Sequence, residues 1–166
     1  SIKLNKILIL SENIKNKKMN LSSFKQRGFK ISSMNYLTNF DYNFLDYIFI
    51  CNPFRIFTEL NKVSDLKKKI ISPNYEILKK MKFKNKDQLI NYNYTKSENP
   101  KIEEGMCKYK NNFVLFFSVA FCIAKKAKII QVQNIEKSER NLDIIKNLKQ
   151  IIKKNNFNTK LNIIWS

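Results

Sequence analysis

Apolar runs along the chain alternate between strand-sized and helix-sized lengths, separated by polar, lysine-rich stretches. Lys6–Leu10 is Lys-Ile-Leu-Ile-Leu, apolar without alternation, the pattern of a central strand buried on both faces. A polar stretch over 11–18 follows, then a helix is predicted over Leu21–Gln26 and ended by Gly28. Phe29–Met34 is the second predicted strand and 46–50 the third, the latter stopped by Asn52-Pro53 because proline cannot donate to a ladder. Residues 59–67 read as one or two helical turns and 69–71 as a fourth strand before Ser72-Pro73.

The second half continues the alternation. A helix is expected over 75–81, a short strand over 88–92, and a surface loop over 95–105, where Asn99-Pro100, Gly105 and the acidic pair Glu103-Glu104 cluster. Asn112 reads as the start of a helix over 113–126 that is apolar on nearly every side. A strand over 128–132 comes next, then an amphipathic helix over 138–155 with Leu142, Ile145, Leu148, Ile151 and Ile152 on one stripe. A last strand over 161–165 closes the sheet. Short strands alternating with helices predict one α/β domain spanning 1–166, Rossmann-like and doubly wound, with a mostly parallel sheet and helices on both faces. Ligands of such sheets sit beyond the carboxyl ends of the strands, here after Leu10, Met34, Ile50 and Val132.

Composition narrows the chemistry. The chain has no histidine, so histidine-based triads and histidine-ligated metals are excluded within it. Cys51, Cys107 and Cys122 are odd in number and far apart, which fits a reducing, cytoplasmic setting and leaves no four-thiolate metal site. The longest apolar run, 113–124, falls short of the roughly 20 residues that cross a bilayer. The formal charge of +19 raises a nucleic-acid-binding reading, whose signature is affinity falling steeply with salt. Against it, only Arg27, Arg55 and Arg140 are arginines among 32 basic residues, and the lysines are spread along the whole chain.

Glycine, the residue that lets a backbone approach a phosphate, is missing after the first strand, where Ser11-Glu12-Asn13 stands; Gly28 and Gly105 are the only two in the chain. Four residues are candidate ligand contacts: Asn35, Asn52 and Arg55 at the other strand ends, and Asn112 at a helix N-terminus. A fixed Arg55 could grip a carboxylate or phosphate by a fork of two hydrogen bonds, or be a surface arginine on a turn. Asn111-Asn112 could present backbone N–H groups to an anion, or Asn112 could simply cap its helix. Gln131-Val132-Gln133-Asn134 offers amides where chemistry would need an acid, and Glu103-Glu104 is the one adjacent acidic pair worth weighing as acid and base. Phe113, Phe116, Phe117 and Phe121 are assigned to the core rather than to a stacking surface.

The order Ile7-Leu8-Ile9-Leu10, Ile31-Ser32-Ser33-Met34-Asn35, Phe49-Ile50-Cys51-Asn52-Pro53-Phe54-Arg55, Ile70-Ile71-Ser72-Pro73, the run 113–124 and Ala127-Lys128-Ile129-Ile130 resembles the C-terminal Rossmann-like domain of HMG-CoA-lyase-like, 4-hydroxy-2-oxovalerate aldolase-type proteins of bacterial surface-polysaccharide clusters. It is more distantly similar to family-42 sialyltransferases and DUF115-like folds. The resemblance implies that the chain, which starts at Ser1, is the C-terminal part of a longer protein. Its partner would be an upstream aldolase barrel carrying any divalent metal, and this domain would have no cofactor and no catalytic residue of its own. It would act as an accessory or substrate-docking domain for a sugar or nucleotide-sugar ligand in a carbon–carbon lyase. The alternatives are a divergent nucleotide-sugar-dependent glycosyltransferase and a basic nucleic-acid binder. The departures from the family fall on the ligand-binding words: Ser11-Glu12-Asn13 replaces a glycine-rich turn, Asn52-Pro53-Phe54-Arg55 a His-Pro-x-x-Arg turn, Asn111-Asn112 a Thr-Ser pair, and Gln133-Asn134-Ile135-Glu136 a Gly-x-Asp-x-Tyr.

Overall fold

A computed structural model describes residues 2–75, 78, 80 and 88–166 of the chain. In chain order its elements are β1 (Lys6–Leu10), α1 (Leu21–Gln26), β2 (Phe29–Met34), β3 (Tyr47–Phe49), α2 (Pro53–Asp65), β4 (Lys69–Ser72), β5 (Leu89–Asn91), β6 (Asn93–Lys96), β7 (Lys101–Ile102), β8 (Met106–Tyr109), α3 (Val114–Ala124), β9 (Ile129–Ile135), α4 (Glu139–Lys154) and β10 (Lys160–Trp165). Seven strands form one sheet in the order β10-β9-β1-β2-β3-β4-β5, and every pairing in it is parallel. This is the doubly wound Rossmann-like fold that the alternation predicts.

β1 shows why this sequence makes this sheet. Its side chains alternate between two separate cores: Ile7 and Ile9 pack with α3 and α4, whereas Leu8 and Leu10 pack with Leu21 of α1 and Ile56 and Val63 of α2. All four are fully buried, so a strand with one polar face could not occupy this place. β3 and β4 divide in the same way, with Tyr47, Phe49 and Ile71 on the α3 side and Ile48, Ile50 and Ile70 on the other. From β1 the chain winds outward through β2 to β5, then returns to place β9 on the other side of β1. The strand order reverses between β1 and β9.

α3 is apolar all round because it is covered all round. Leu115 through Ile123 are all buried, and Phe117 and Phe121 meet Phe49 and Tyr92 at ring distances of 5.4–6.5 Å. Its outer cover is a small second sheet, β6-β8-β7, which contributes Ile102, Cys107 and Tyr109 to the core, with Tyr109 stacked on Phe116 at 4.0 Å. This corrects the expectation of a surface loop over 95–105: polar turn residues there join strands too short to show a period. α2 also begins earlier than expected, at Pro53 rather than near 59, because Asn-Pro supplies a helix N-cap and first residue as readily as it ends a strand. The helix expected over 75–81 lies outside the described residues apart from Tyr75, Leu78 and Lys80.

Asparagine and lysine do the work usually left to glycine. α3 and α4 both close with paired Schellman hydrogen bonds, Ala127 N to Cys122 O at 3.0 Å with Lys126 N to Ile123 O at 2.9 Å, and Phe157 N to Ile152 O at 3.1 Å with Asn156 N to Lys153 O at 3.3 Å. The left-handed residues in these motifs are Lys126 (φ 61°) and Asn156 (φ 53°). An exposed lysine at such a position carries steric strain that glycine lacks. Lys126→Gly is therefore expected to raise stability by about 1 kcal/mol, and Phe121→Ala to lower it by about 3–5 kcal/mol, both read from urea unfolding midpoints.

Candidate functional site

Beyond the carboxyl ends of β1, β2, β3 and β9 lies a cleft of about 560 Å³. It straddles the point where the strand order reverses, the place at which adjacent loops part in opposite directions. All four residues expected at the site line it: Asn35, Asn52, Arg55 and Asn112. Asn13, Asn134 and Asn141 join them, so six of the lining residues are asparagine; Glu12, Glu136 and Arg140 bring charge.

The tip of β1 is held by the protein's own hydrogen bonds. Ser11 N donates to Gln133 O at 3.3 Å, Asn13 N to Ser11 Oγ at 3.2 Å, Lys15 N to Asn13 Oδ1 at 2.9 Å and Asn16 N to Asn13 O at 3.0 Å. Buried Asn16 adds Nδ2 bonds to Ser11 O at 2.7 Å and to Ser11 Oγ at 3.2 Å, and its Oδ1 accepts from Asn134 Nδ2 at 2.9 Å. A 3-10 turn, Ile14–Lys18, follows in place of a helix whose amino end could face the cleft. Four of the backbone donors at this strand tip, those of Ser11, Asn13, Lys15 and Asn16, are already bonded within the protein.

Two strand tips take the left-handed backbone without glycine: Asn35 (φ 64°) after β2 and Asn134 (φ 57°) inside β9. Asparagine tolerates this region better than other side chains. At Asn134 the pairing of β9 with β10 slips by a residue, since Ile164 faces Gln133 but Trp165 faces Ile135, and the extra residue is pushed into the cleft. Gln131 and Gln133 stay on the strand, bonded to each other at 3.0 Å, and are not lining residues.

Arg55 does not present an empty fork. Its Nη1 donates to Glu59 Oε1 at 2.6 Å, and its Nη2 donates to Glu12 at 3.0 and 3.2 Å. The Glu59 hydrogen bond, helped by the field of both carboxylates, raises its pKa further. Glu12 also accepts from Asn35 Nδ2 at 2.8 Å, so β1, β2 and α2 are tied through one carboxylate. Asn52 is the N-cap of α2, its Oδ1 accepting from Phe54 N at 2.9 Å.

Asn112 corrects its expected capping role. The N-cap residue of α3 is Phe113, which has no side-chain acceptor. The Asn112 amide instead donates to Cys51 O at 2.6 Å and Tyr75 Oη at 2.8 Å, holding the tip of β3 against the entry to α3. The Oδ1 atoms of Asn112 and Asn35 are buried and without a hydrogen-bond partner.

Sequence pattern does not single out Arg140, yet two of the three arginines meet in this cleft. The signal was present: Arg140 lies two residues after Ser138, whose Oγ accepts from Asn141 N at 3.2 Å as a helix cap just beyond a strand. Its guanidinium lies 5.0 Å from the centre of the Phe113 ring. Glu103-Glu104 sits elsewhere, on a second cavity of about 520 Å³ with Lys126 and Lys128, and Glu103 pairs with Lys101 at 2.6 Å. That hydrogen bond holds the Glu103 carboxyl below its usual range, which disfavours it as a general acid. Among the described residues no three His, Cys, Asp or Glu side chains converge as metal ligands, and no helix is long and apolar enough to cross a membrane.

No known protein family, curated protein or solved structure matches this chain.

The three cysteines are free and fully buried, and burial pushes every thiol up, Cys107 to about 12 and Cys51 and Cys122 higher still. Because the thiolate is the reactive form, raising the pH from 7 to 9 leaves the native thiols protonated. None is expected to react with a disulfide dye within minutes at pH 8, and all three are expected to react in concentrated guanidinium chloride. Rapid reaction of the native protein would contradict the packing around α3.

Proposed function

We propose that this domain is a docking module that holds an oxygen-rich anionic small molecule, of the sugar or nucleotide-sugar class, for chemistry carried out elsewhere. The observation that carries this reading is the lining of the cleft by six asparagines and two arginines. Amides donate and accept hydrogen bonds, as hydroxyl-rich ligands require, but they do not exchange protons near neutral pH. Of the two lining glutamates, Glu12 is engaged by Arg55 and Asn35, which favours holding a ligand over proton transfer.

The resemblance to aldolase-associated domains supplies the setting we favour: an accessory part of a carbon–carbon lyase in surface-polysaccharide biosynthesis, with an upstream barrel as its partner in the same chain. Under this reading the domain contributes affinity and orientation, and the barrel contributes the metal and the bond-breaking step. Strand-end loops suit that division, because a rigid sheet fixes them while their side chains remain free to vary.

Titration calorimetry with cytidine and uridine nucleotide sugars, and with sugar acids, tests the reading. Saturable binding to the domain without turnover is the expected result, and Asn35→Leu should weaken it by about tenfold by leaving the ligand's polar group unpaired. Transfer or hydrolysis of a nucleotide sugar by the domain alone would replace docking with glycosyltransferase chemistry. The absence of saturation at millimolar concentrations with every member of the set would end the proposal.

A further inference from the structure

We infer that the amino end of α3, together with the Arg140 guanidinium beside it, is the seat for an oxyanion, a phosphate or carboxylate group, of the ligand docked in the cleft; the inference rests on the docking reading. α3 has eleven residues, and its first-turn N–H groups, at Val114, Leu115 and Phe116, have no partner inside the helix. The Phe113 side chain at the N-cap cannot accept a hydrogen bond, and no acidic residue occupies the first turn to offset the helix dipole. Val114 and Leu115 line the cleft. An uncapped helix end facing a polar cleft is electrostatically incomplete.

The neighbouring asparagine cannot complete it. Cys51 O is only an acceptor, so the nitrogen of the Asn112 amide must face it, and that orientation keeps the amide engaged with the β3 tip. Arg140 can. It forms no ion pair or hydrogen bond among the described residues, and its position over the ring of Phe113, the N-cap residue, brings a positive charge to the entry of α3. Arg55, the more obvious candidate from sequence, already has a carboxylate on each arm of its fork.

A separate observation points to the same ligand. Asn35 is 92% buried, being 8% exposed, and lines the cleft with an unpartnered Oδ1. Its nitrogen is fixed on Glu12, which as a carboxylate paired with Arg55 only accepts, so the free group of the amide is an acceptor. A buried acceptor left over is completed by a donor. An oxyanion that also carries hydroxyl or N–H donors, as sugar phosphates and sugar acids do, would satisfy both groups.

Amide chemical shifts of the full 166-residue chain, followed by NMR during titration with inorganic phosphate, acetate and chloride at matched ionic strength, test the seat. Saturable shifts at Val114, Leu115 and Phe116 with phosphate, or with acetate, support it and identify which oxyanion it takes. Arg140→Gln should weaken that binding by about tenfold, the loss of a charge-assisted hydrogen bond, whereas Lys137→Gln, which removes the same charge from an exposed residue outside the cleft lining, should change it less than about twofold. The dispersion of the remaining peaks reports whether each variant is folded, and Arg140→Lys, keeping charge without the fork, should fall between wild type and Arg140→Gln. Equal weakening by Arg140→Gln and Lys137→Gln would reduce the effect to general attraction by a +19 surface and overturn the seat. Shifts that grow linearly and match those in chloride would also overturn it. A neutral methyl glycoside that saturates the Asn35 and Asn134 amides while neither anion moves α3 would overturn the seat and leave docking standing. Arg140-dependent anion binding without nucleotide-sugar binding at any cleft residue would support the seat and overturn docking.

Discussion

Two-sided burial of β1 is the constraint from which the rest of the molecule follows. A parallel strand with apolar side chains on both faces needs a helix layer above and another below, and here α1 and α2 supply one while α3 and α4 supply the other. It also needs hydrogen-bonded neighbours on both edges, which β2 and β9 provide in parallel register. Winding outward on one side and returning to the other makes the connections diverge beyond Leu10. The cleft is thus a consequence of how the central strand is satisfied, and its position does not depend on what it binds.

What fills the cleft rim depends on a substitution of means. Tight turns and left-handed backbone usually call for glycine, yet this chain uses Asn35 and Asn134 at strand tips and Lys126 and Asn156 at helix ends. An asparagine that replaces glycine keeps the turn but adds an amide, and that amide must go somewhere. At the β1 and β9 tips the Asn134 amide bonds to Asn16, whose own amide holds Ser11 O. At β2 the amide reaches Glu12 and leaves an acceptor unpartnered. Asparagine at these tips lines the cleft with amides where glycine would leave bare backbone.

Electrostatics at the site are decided locally and not by net charge. Glu12 and Glu59 neutralise Arg55 inside a strongly basic chain, while Arg140, on the exposed first turn of α4, keeps its charge free beside a helix end. Surface lysines raise the potential everywhere and so select no place. A guanidinium held over a ring and next to uncapped backbone donors selects one.

The sequence alone determined the strand and helix alternation, the fold class and the carboxyl edge at which Asn35, Asn52, Arg55 and Asn112 meet, because burial on two faces leaves an unbroken apolar run and strand tips follow from strand positions. It could not reveal that Asn-Pro would start α2, that β6, β7 and β8 would form a lid over α3, or that Phe113 would stand where a cap was expected. Those outcomes depend on which partner wins each polar group: Asn112 could have capped α3, but Cys51 and Tyr75, distant in sequence, hold its amide. Arg55 and Arg140 look alike in a string of letters, and only the tertiary arrangement, by placing Glu12 and Glu59 against one and an aromatic ring against the other, left Arg140 alone of the two without a carboxylate among the described residues.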